Sequence, residues 1–450
     1  MEPNLDDAPR SHDPDAHDIA RVIDREQVRS VFQPIIDLDS GAVVGYEALA
    51  RGPVGPLERP DQLFAAARAA GRLADLDELC RRAAILGAID AGVCAPLALF
   101  VNVEPEVLDV APLQQLLDIA DSAPGDLQLV LEITERALAS RPAELLATVA
   151  RLRAAGCRIA LDDVGADDLS LAFMPVLRPD IVKLDLQLVQ RRPGPKVAEI
   201  MNAVNAYAER TGSVILAEGV EDPDHLAVAR ALGARLGQGW MFGRPAASPV
   251  PGLAIGALKL SPLSMPNTAA SPFECLPHTV ELRRSTKPLL IEVSKYLERE
   301  AVRLGRTCIV LSTFQQPPHF TPNIARRYVN LASRVGFVAA IGHGLPVEPA
   351  TGVRGADVET DDPVRNEWDV VILAPHFAAA LLARDLEITG PDLERTFEFA
   401  VTYDRDTVEA AAESLMCRVR PRAVPATIAP VPAGHAADES RRLARNNSNP

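Results

Sequence analysis

The sequence has no apolar run as long as the ~20 residues that a membrane-spanning helix requires. Its opening segment, MEPNLDDAPRSHDPDAHD, holds no apolar core of the kind a secretory signal needs. The six cysteines, Cys80, Cys94, Cys157, Cys275, Cys308 and Cys417, fall into neither CxxC nor zinc-ligand spacing. They read as reduced core thiols of a cytoplasmic protein rather than as disulfide or metal partners. Positive charge is also in deficit: 46 Lys and Arg stand against 61 Asp and Glu, a formal net charge of −15, with a pI near 5.1. That balance excludes broad binding to nucleic-acid polymers or to an anionic membrane surface. No helix-turn-helix with a basic recognition helix offers a specific route to DNA. A small anionic ligand stays open, because metal ions held by carboxylates can bind phosphate from an acidic surface. Repeats and coiled coils are absent.

What is present is 450 residues, 48% of them hydrophobic, enough for two or three domains with sizeable cores. Residues 1–18 are polar and rich in Asp and Pro, and are expected to lack structure. From 19 to 247, short apolar runs alternate with Ala/Leu-rich helical stretches. The predicted strands are VFQPII (31–36), LALFVNV (97–103), LQLVLEIT (127–134), RIALDDV (158–164), IVKLD (181–185) and SVILAEGV (213–220). A helix over 142–156 should end on Gly156. Near-continuous apolar strands at βαβ spacing imply a parallel sheet covered on both faces. Residues 248–284 are rich in Pro, Ser and Ala and read as a linker. A second αβ pattern follows over 285–420, with helices at 289–304, 324–334 and 408–419 and strands at 307–314, 336–344 and 369–377. The tail 421–450 is expected to be without structure.

In the first region nearly every predicted strand delivers a polar residue at its C-terminal end: Asn102, Glu132 and Glu135, Asp162 and Asp163, Lys183 and Asp185, Glu218 and Glu221, then Gln238. The C-terminal rim of a parallel β/α barrel is where such folds build their sites. So many carboxylates on one rim would repel unless cations were bound, and oxygen donors without His or Cys suit Mg2+ or Mn2+. Adjacent aspartates favour a pair of ions ~3.5–4 Å apart, an arrangement fitted to in-line hydrolysis of a phosphodiester.

YEALARG (46–52), FVNVEP (100–105), LEITE (131–135), ALDDVG (160–165), VKLD (182–185), AEGVE (217–221) and GQGWMFGRP (237–245) occur in the order typical of EAL-domain proteins, and the chain resembles that family over about 20–247. The resemblance implies a modified TIM-type (β/α)8 barrel whose first strand runs antiparallel, and cleavage of cyclic di-GMP to linear pGpG. It also implies site roles. Glu47, Asn102, Glu132 and Asp162 match ligands of one metal, and Asp162 with Asp163 the bridge to a second. Lys183 matches the water-positioning lysine, Glu218 the site glutamate and Gln238 the glutamine that contacts water or metal. Glu135 matches the glutamate that anchors the loop after the aspartates, and Glu221 a supporting residue. Gln33, Leu49 and Arg51 match substrate-contacting positions, and a guanidinium suits phosphate oxygens. Asp185 reads equally as a structural partner of the rim or as a direct participant.

One departure is pronounced. The family's DDFGTGYSSL is here DDVGADDLSL (162–171). Val164 replaces Phe, Asp167 the second Gly, Asp168 the aromatic and Leu169 the first Ser. Loss of that Gly is expected to remove a positive-φ option, and the added carboxylates to raise negative charge near the substrate. This loop serves dimer contacts in the family, so a homodimer is an expectation of the resemblance. The alternative function is a receptor or scaffold that holds cyclic di-GMP without cleaving it.

Residues 285–420 resemble the DICT sensory domain through IEVSKYLEREA (291–301), VLSTFQQPPHFTPNIARRYVNLA (310–332) and the strand at 369–373. A smaller α/β sensory domain with an unknown ligand or protein partner is implied. His319, His343 and His376 match no ligand spacing and read as ordinary histidines. Phe314, Phe320, Trp368 and Tyr403 read as core packing, with a pocket lining as the alternative.

Overall fold

The structure, a computed structural model, describes residues 14–104, 127–134, 139–249, 252–262, 269–387 and 391–419. Residues 1–13 and the tail 421–450, both expected to lack structure, lie outside the described residues. Helix α1 (Pro14–Asp24) begins inside that acidic N-terminal segment. Its Ile19, Val22 and Ile23, spaced along one helical face, bury against Leu63 and Leu76.

Eight strands close a barrel: β1 (Arg29–Asp37), β2 (Val43–Arg51), β3 (Ala98–Asn102), β4 (Gln128–Thr134), β5 (Arg158–Val164), β6 (Ile181–Leu184), β7 (Val214–Ala217) and β8 (Leu236–Gly237). β1 runs antiparallel to both β2 and β8, as the resemblance implies, and the remaining neighbours pair in parallel. β2 and β8 escaped the strand pattern: β2 carries Gly45, Glu47 and two alanines, and β8 is two residues long. Around the strands lie α2 (Pro60–Ala69), α3 (Leu73–Asp90), α4 (Pro142–Ala154), α5 (Asp168–Leu177), α6 (Leu186–Gln190), α7 (Pro195–Thr211) and α8 (Pro223–Ala231). α4 stops where expected, with Gly156 at φ +84° just past its end. The barrel interior is filled by one apolar layer, Ile35, Ala98, Phe100, Val130, Ala160, Ile181, Leu216 and Leu236 among its members.

The expected linker is more than a spacer. Leu258 joins the apolar barrel interior, and Phe273, in a short 3-10 turn, is 7% exposed in the shared core. Beyond it, seven strands form a mixed sheet in the order β12-β11-β10-β13-β14-β15-β9. Their ranges are β9 (Arg283–Thr286), β10 (Ile309–Thr313), β11 (Phe337–Ile341), β12 (Arg354–Ala356), β13 (Glu367–Ala374), β14 (Phe377–Asp385) and β15 (Thr396–Thr402). Helices α9 (Lys287–Leu304), α10 (Pro322–Ala332) and α11 (Arg405–Met416) complete this unit. The strand expected at 369–377 is instead a hairpin. It turns at Pro375 and His376, and β14 was hidden by its FAAALLA composition, which favours helix by propensity alone.

The two units share a core. Phe173 on α5 meets Phe337 on β11 edge-on at 5.2 Å. Arg210 on α7 reaches the buried Glu409 on α11 at 2.6 Å, and Arg354 donates to the carbonyls of Ala139 and Ser140. Among the described residues no helix is long and apolar enough to cross a membrane.

Candidate active site

Side chains on a strand alternate between faces, so the residue two beyond an inward apolar residue also points inward. Asn102 stands two beyond Phe100, Glu132 beyond Val130, Asp162 beyond Ala160, Lys183 beyond Ile181, Glu218 beyond Leu216 and Gln238 beyond Leu236. The apolar layer of the barrel thus carries a polar layer directly above it, at the C-terminal ends of the parallel strands. Glu47 enters from β2, opposite Gln33 of β1 in the ladder.

Lys183 is the centre of this layer and is 1% exposed. Its Nζ lies 2.7 Å from Glu132 Oε1, 2.8 Å from Glu218 Oε1, 3.0 Å from Asp162 Oδ1 and 3.8 Å from Glu47 Oε1. Glu47 Oε1 also accepts from Asn102 Nδ2 at 3.0 Å, and its Oε2 from Gln238 Nε2 at 2.6 Å. Gln238 Nε2 donates in turn to Gln33 Oε1 at 3.1 Å, and Gln33 Nε2 to the Gly243 carbonyl at 3.2 Å.

Burial opposes the Lys183 charge, yet Asp162, Glu132, Glu218 and Glu47 hold its ammonium well above the usual lysine range. Burial likewise would raise Glu47, but Lys183 and the amides of Gln238 and Asn102 keep its carboxyl below its ordinary value. Glu132 is pushed well up by burial and by the charge of Glu47. Glu218 is pushed up to about 8, first by burial and against the pull of Lys183. One ammonium therefore does not satisfy the ring of acids around it.

The paired aspartates owe their placement to a β-bulge. Leu161 pairs with Val182 and Val164 with Leu184, so Asp162 and Asp163 together face the single residue Lys183. Asp163 takes φ +55°, a conformation Asp tolerates better than most residues, and its N–H donates to Asp162 Oδ1 at 3.0 Å. Carboxylate oxygens of Asp162, Asp163 and Glu218 lie within 4.8 Å of one another. Glu132 Oε2 and Gln238 Oε1 are buried with no hydrogen-bond partner among the described residues. A set of close oxygens, some of them buried without a donor, matches what a hard divalent cation needs.

The altered loop behaves differently from its sequence expectation. Asp167 sits at φ −133°, so this position needs no positive φ, and its side chain caps α5 by accepting from the Leu169 N–H at 2.9 Å. Asp168 forms an ion pair with Lys196. One added carboxylate is absorbed by a helix N-terminus and the other by a cation, rather than standing bare beside the rim.

The remaining site expectations divide. Leu49 and Arg51 share the strand face of Glu47 by alternation, and Arg51 Nη1 donates to the Ala50 carbonyl at 2.8 Å. Asp185 caps α6 through the Gln187 N–H at 2.8 Å, a structural task. Glu221 is exposed, and its N–H donates to His225 Nδ1 at 3.4 Å. Glu135 lies outside the described residues. Cys94 and Cys417 are exposed, so not all six thiols are core residues. His319, His343 and His376 do not converge: His343 lies near Asp357, and His376 meets Asn202 across the domain boundary. Sequence reading overlooked Trp240, whose exposed ring stacks under Arg244 at 4.0 Å just past Gln238. Its signal was present in GQGWMFGRP, an aromatic directly after a site residue.

Residues 16–245 match the EAL domain family. Residues 273–386 match the family described as a sensory domain in diguanylate cyclases and two-component systems. The cyclic di-GMP phosphodiesterase RocR of Pseudomonas aeruginosa is 31% identical over 242 residues, covering 52% of this chain and 61% of RocR. NbdA of the same organism, also a cyclic di-GMP phosphodiesterase, is 32% identical over 229 residues, covering 49% of this chain and 29% of NbdA. The chain therefore spans less than two thirds of either relative. Among solved structures, Klebsiella pneumoniae BlrP1 in its calcium and cy-diGMP complex is 28% identical, with a TM-score of 0.45 over 49% of this chain and 56% of BlrP1.

Proposed function

The chain belongs to the EAL domain family, and from that membership we propose that it hydrolyses cyclic di-GMP to linear pGpG in a divalent-metal-dependent reaction regulated by its C-terminal domain. Catalysis is assigned to 19–247 and sensing to 285–420, with 248–284 joining them. The observation that carries the reading is the ring of Glu47, Glu132, Asp162 and Glu218 around Lys183, acidic in excess and built wholly of oxygen donors apart from the lysine.

Glu47, Asn102, Glu132 and Asp162 would hold one Mg2+ or Mn2+, and Asp162 with Asp163 a second. Bound cations would offset the carboxylate excess and stabilise charge developing on the phosphoryl oxygens. Lys183, fixed on several sides by acids, positions the attacking water, and Glu218, 2.8 Å from its Nζ, orients it from the rim. Gln238 holds Glu47 from the opposite side, and through Gln33 ties that carboxylate to the rim of β1. Arg51 suits a phosphate oxygen of the substrate, with Leu49 and Gln33 beside it on the same β1–β2 edge. Water adds to phosphorus in line, one ring P–O bond breaks and the linear dinucleotide leaves. The anchoring role of Glu135 rests on the resemblance alone.

The altered loop gives a receptor without turnover no support, since its two new acids are engaged in a cap and an ion pair. The test is product formation by the purified full chain with Mg2+ or Mn2+. Linear pGpG should appear, and Glu47→Ala or Lys183→Ala should abolish it. Absence of product under conditions where an active control yields it would sink the proposal.

A further inference from the structure

The second domain holds a cavity of about 310 Å3 between α9, α10 and the strands β10 and β13, a size that suits small-molecule sites. Lys287, Ile291, Ser294 and Glu298 line it from one face of α9, at helical spacing. Phe314 and Trp368 supply aromatic lining. Phe314 meets Tyr328 edge-on at 5.5 Å, and Trp368 Nε1 donates to Ser294 Oγ at 3.1 Å. Phe314 and Trp368 are both half-buried. The small residues Ser294, Ser312 and Thr313 keep the space open. Ser312 Oγ, fully buried, stands beside the Tyr328 hydroxyl without a well-aligned hydrogen bond to any described group.

Four of the five Lys, Arg, Asp and Glu side chains in the wall form two ion pairs. Arg327 grips Glu298 through two contacts, at 2.6 and 3.1 Å, and Lys287 grips Asp392 at 2.7 and 2.8 Å. Glu367 accepts from the Phe273 N–H at 3.2 Å. His319 is disfavoured as a cation by burial and by the nearby Lys287 and Arg395. An anionic guest would lose its hydration and find both wall cations already paired, and a cationic one would face only Glu367, whose carboxyl burial pushes up toward its neutral form. A flat neutral ring would meet aromatic edges and faces and the Ser312 hydroxyl beside Tyr328.

We propose that this cavity is the sensory site and that it takes an uncharged, planar aromatic heterocycle of two fused rings, packed against Phe314 and Trp368 and hydrogen-bonded at Ser312. Its signalling role rests on the regulatory reading above, but its occupancy is measurable without cyclic di-GMP, so the two can fail separately.

The chain has two tryptophans, so Trp240→Phe in the full-length protein leaves Trp368 as sole reporter. Benzimidazole, indazole and hypoxanthine are titrated against its emission, with ligand-observed saturation-transfer NMR in parallel. Benzoate and benzamidinium serve as charged rings of similar size. At least one neutral probe should give a saturable response, with the charged rings at least tenfold weaker. Ile291→Phe and, separately, Ser312→Leu should weaken that binding tenfold or more while thermal unfolding stays that of a folded protein. Silence from all three neutral probes in both measurements would overturn the site. Equal binding of charged rings would overturn the ligand class. Undiminished binding in whichever filling variant folds would overturn the location.

Discussion

At the barrel rim, Glu47, Glu132, Asp162 and Glu218 share one ammonium; in the cavity of the second domain, Glu298 meets Arg327 and Asp392 meets Lys287, pair by pair. Both regions bury carboxylates, and both draw on side chains from several elements. The difference lies in the balance. Buried like charges are tolerable only when something neutralises them, so the rim must hold protons or, on the function proposed above, take cations. The cavity wall has both its cations paired and leaves apolar contact and hydrogen bonds as the main interactions for a guest. Counting buried charges against their partners thus separates a site that wants metal from one that wants a neutral guest.

The strongest challenge to this contrast removes one acid from each region. Glu132→Ala should lower pGpG formation by a factor on the order of 10²–10³, the scale seen when one preorganised electrostatic group is lost. Glu298→Ala, which leaves the rim untouched, should cost far less turnover than Glu132→Ala. Comparable losses from both would mean that the rim is not where chemistry is done.

Next in size is the response to metal. Mn2+ at a hundredfold excess over its Kd should stabilise the chain by about 2.7 kcal/mol through binding to the folded form alone. A chelator should reverse the shift in melting temperature. Asp162→Asn combined with Asp163→Asn should erase it, whereas Glu298→Ala should leave it in place. A shift that survives the double substitution would place the cations elsewhere.

How much of this was legible beforehand follows from how local each signal is. The rim residues could be read because each sits at the end of an apolar run, and strand alternation alone turns Glu132 or Lys183 inward. The bulge that sets Asp162 and Asp163 opposite Lys183 could not, because it depends on the register with β6. Nor could the fate of Asp167 and Asp168: a cap needs the start of α5, and the ion pair needs Lys196 from beyond the next strand. β14 was missed because alanine and leucine take their strand form here only by pairing with β13 and β15. The cavity is the least local feature of all, built from side chains more than a hundred positions apart on α9 and near Asp392.

A smaller effect comes from acidity inside the second domain. Asp369 is fully buried, and its carboxyl is held well above the usual range, first by burial and then by the charge of Glu367. An acid whose folded value is raised keeps its proton in the native state after the unfolded chain has released it. Its stabilising contribution is complete below the unfolded value and declines as pH rises through about 4 toward the folded value. Unfolding followed between about pH 4 and 8 should show falling stability of this domain, and Asp369→Asn should flatten that slope. An unchanged slope would assign it to another group.

The smallest expected change returns to the loop that departs most from the family. Asp167→Gly restores the family residue but removes the carboxylate that caps α5 through the Leu169 N–H. Glycine is itself a tolerable cap, so stability should fall by only a few tenths of a kcal/mol, whereas Asp167→Ala should cost about 1 kcal/mol. Turnover should scarcely move in either variant, because position 167 lies at φ −133°, where glycine has no conformational advantage, and its charge is already spent on the helix. A large gain in pGpG formation by Asp167→Gly would show that this carboxylate does act on the rim, and that the excess of acid there extends beyond the ring around Lys183. Thermal unfolding and initial rates measured on the same preparations separate these outcomes.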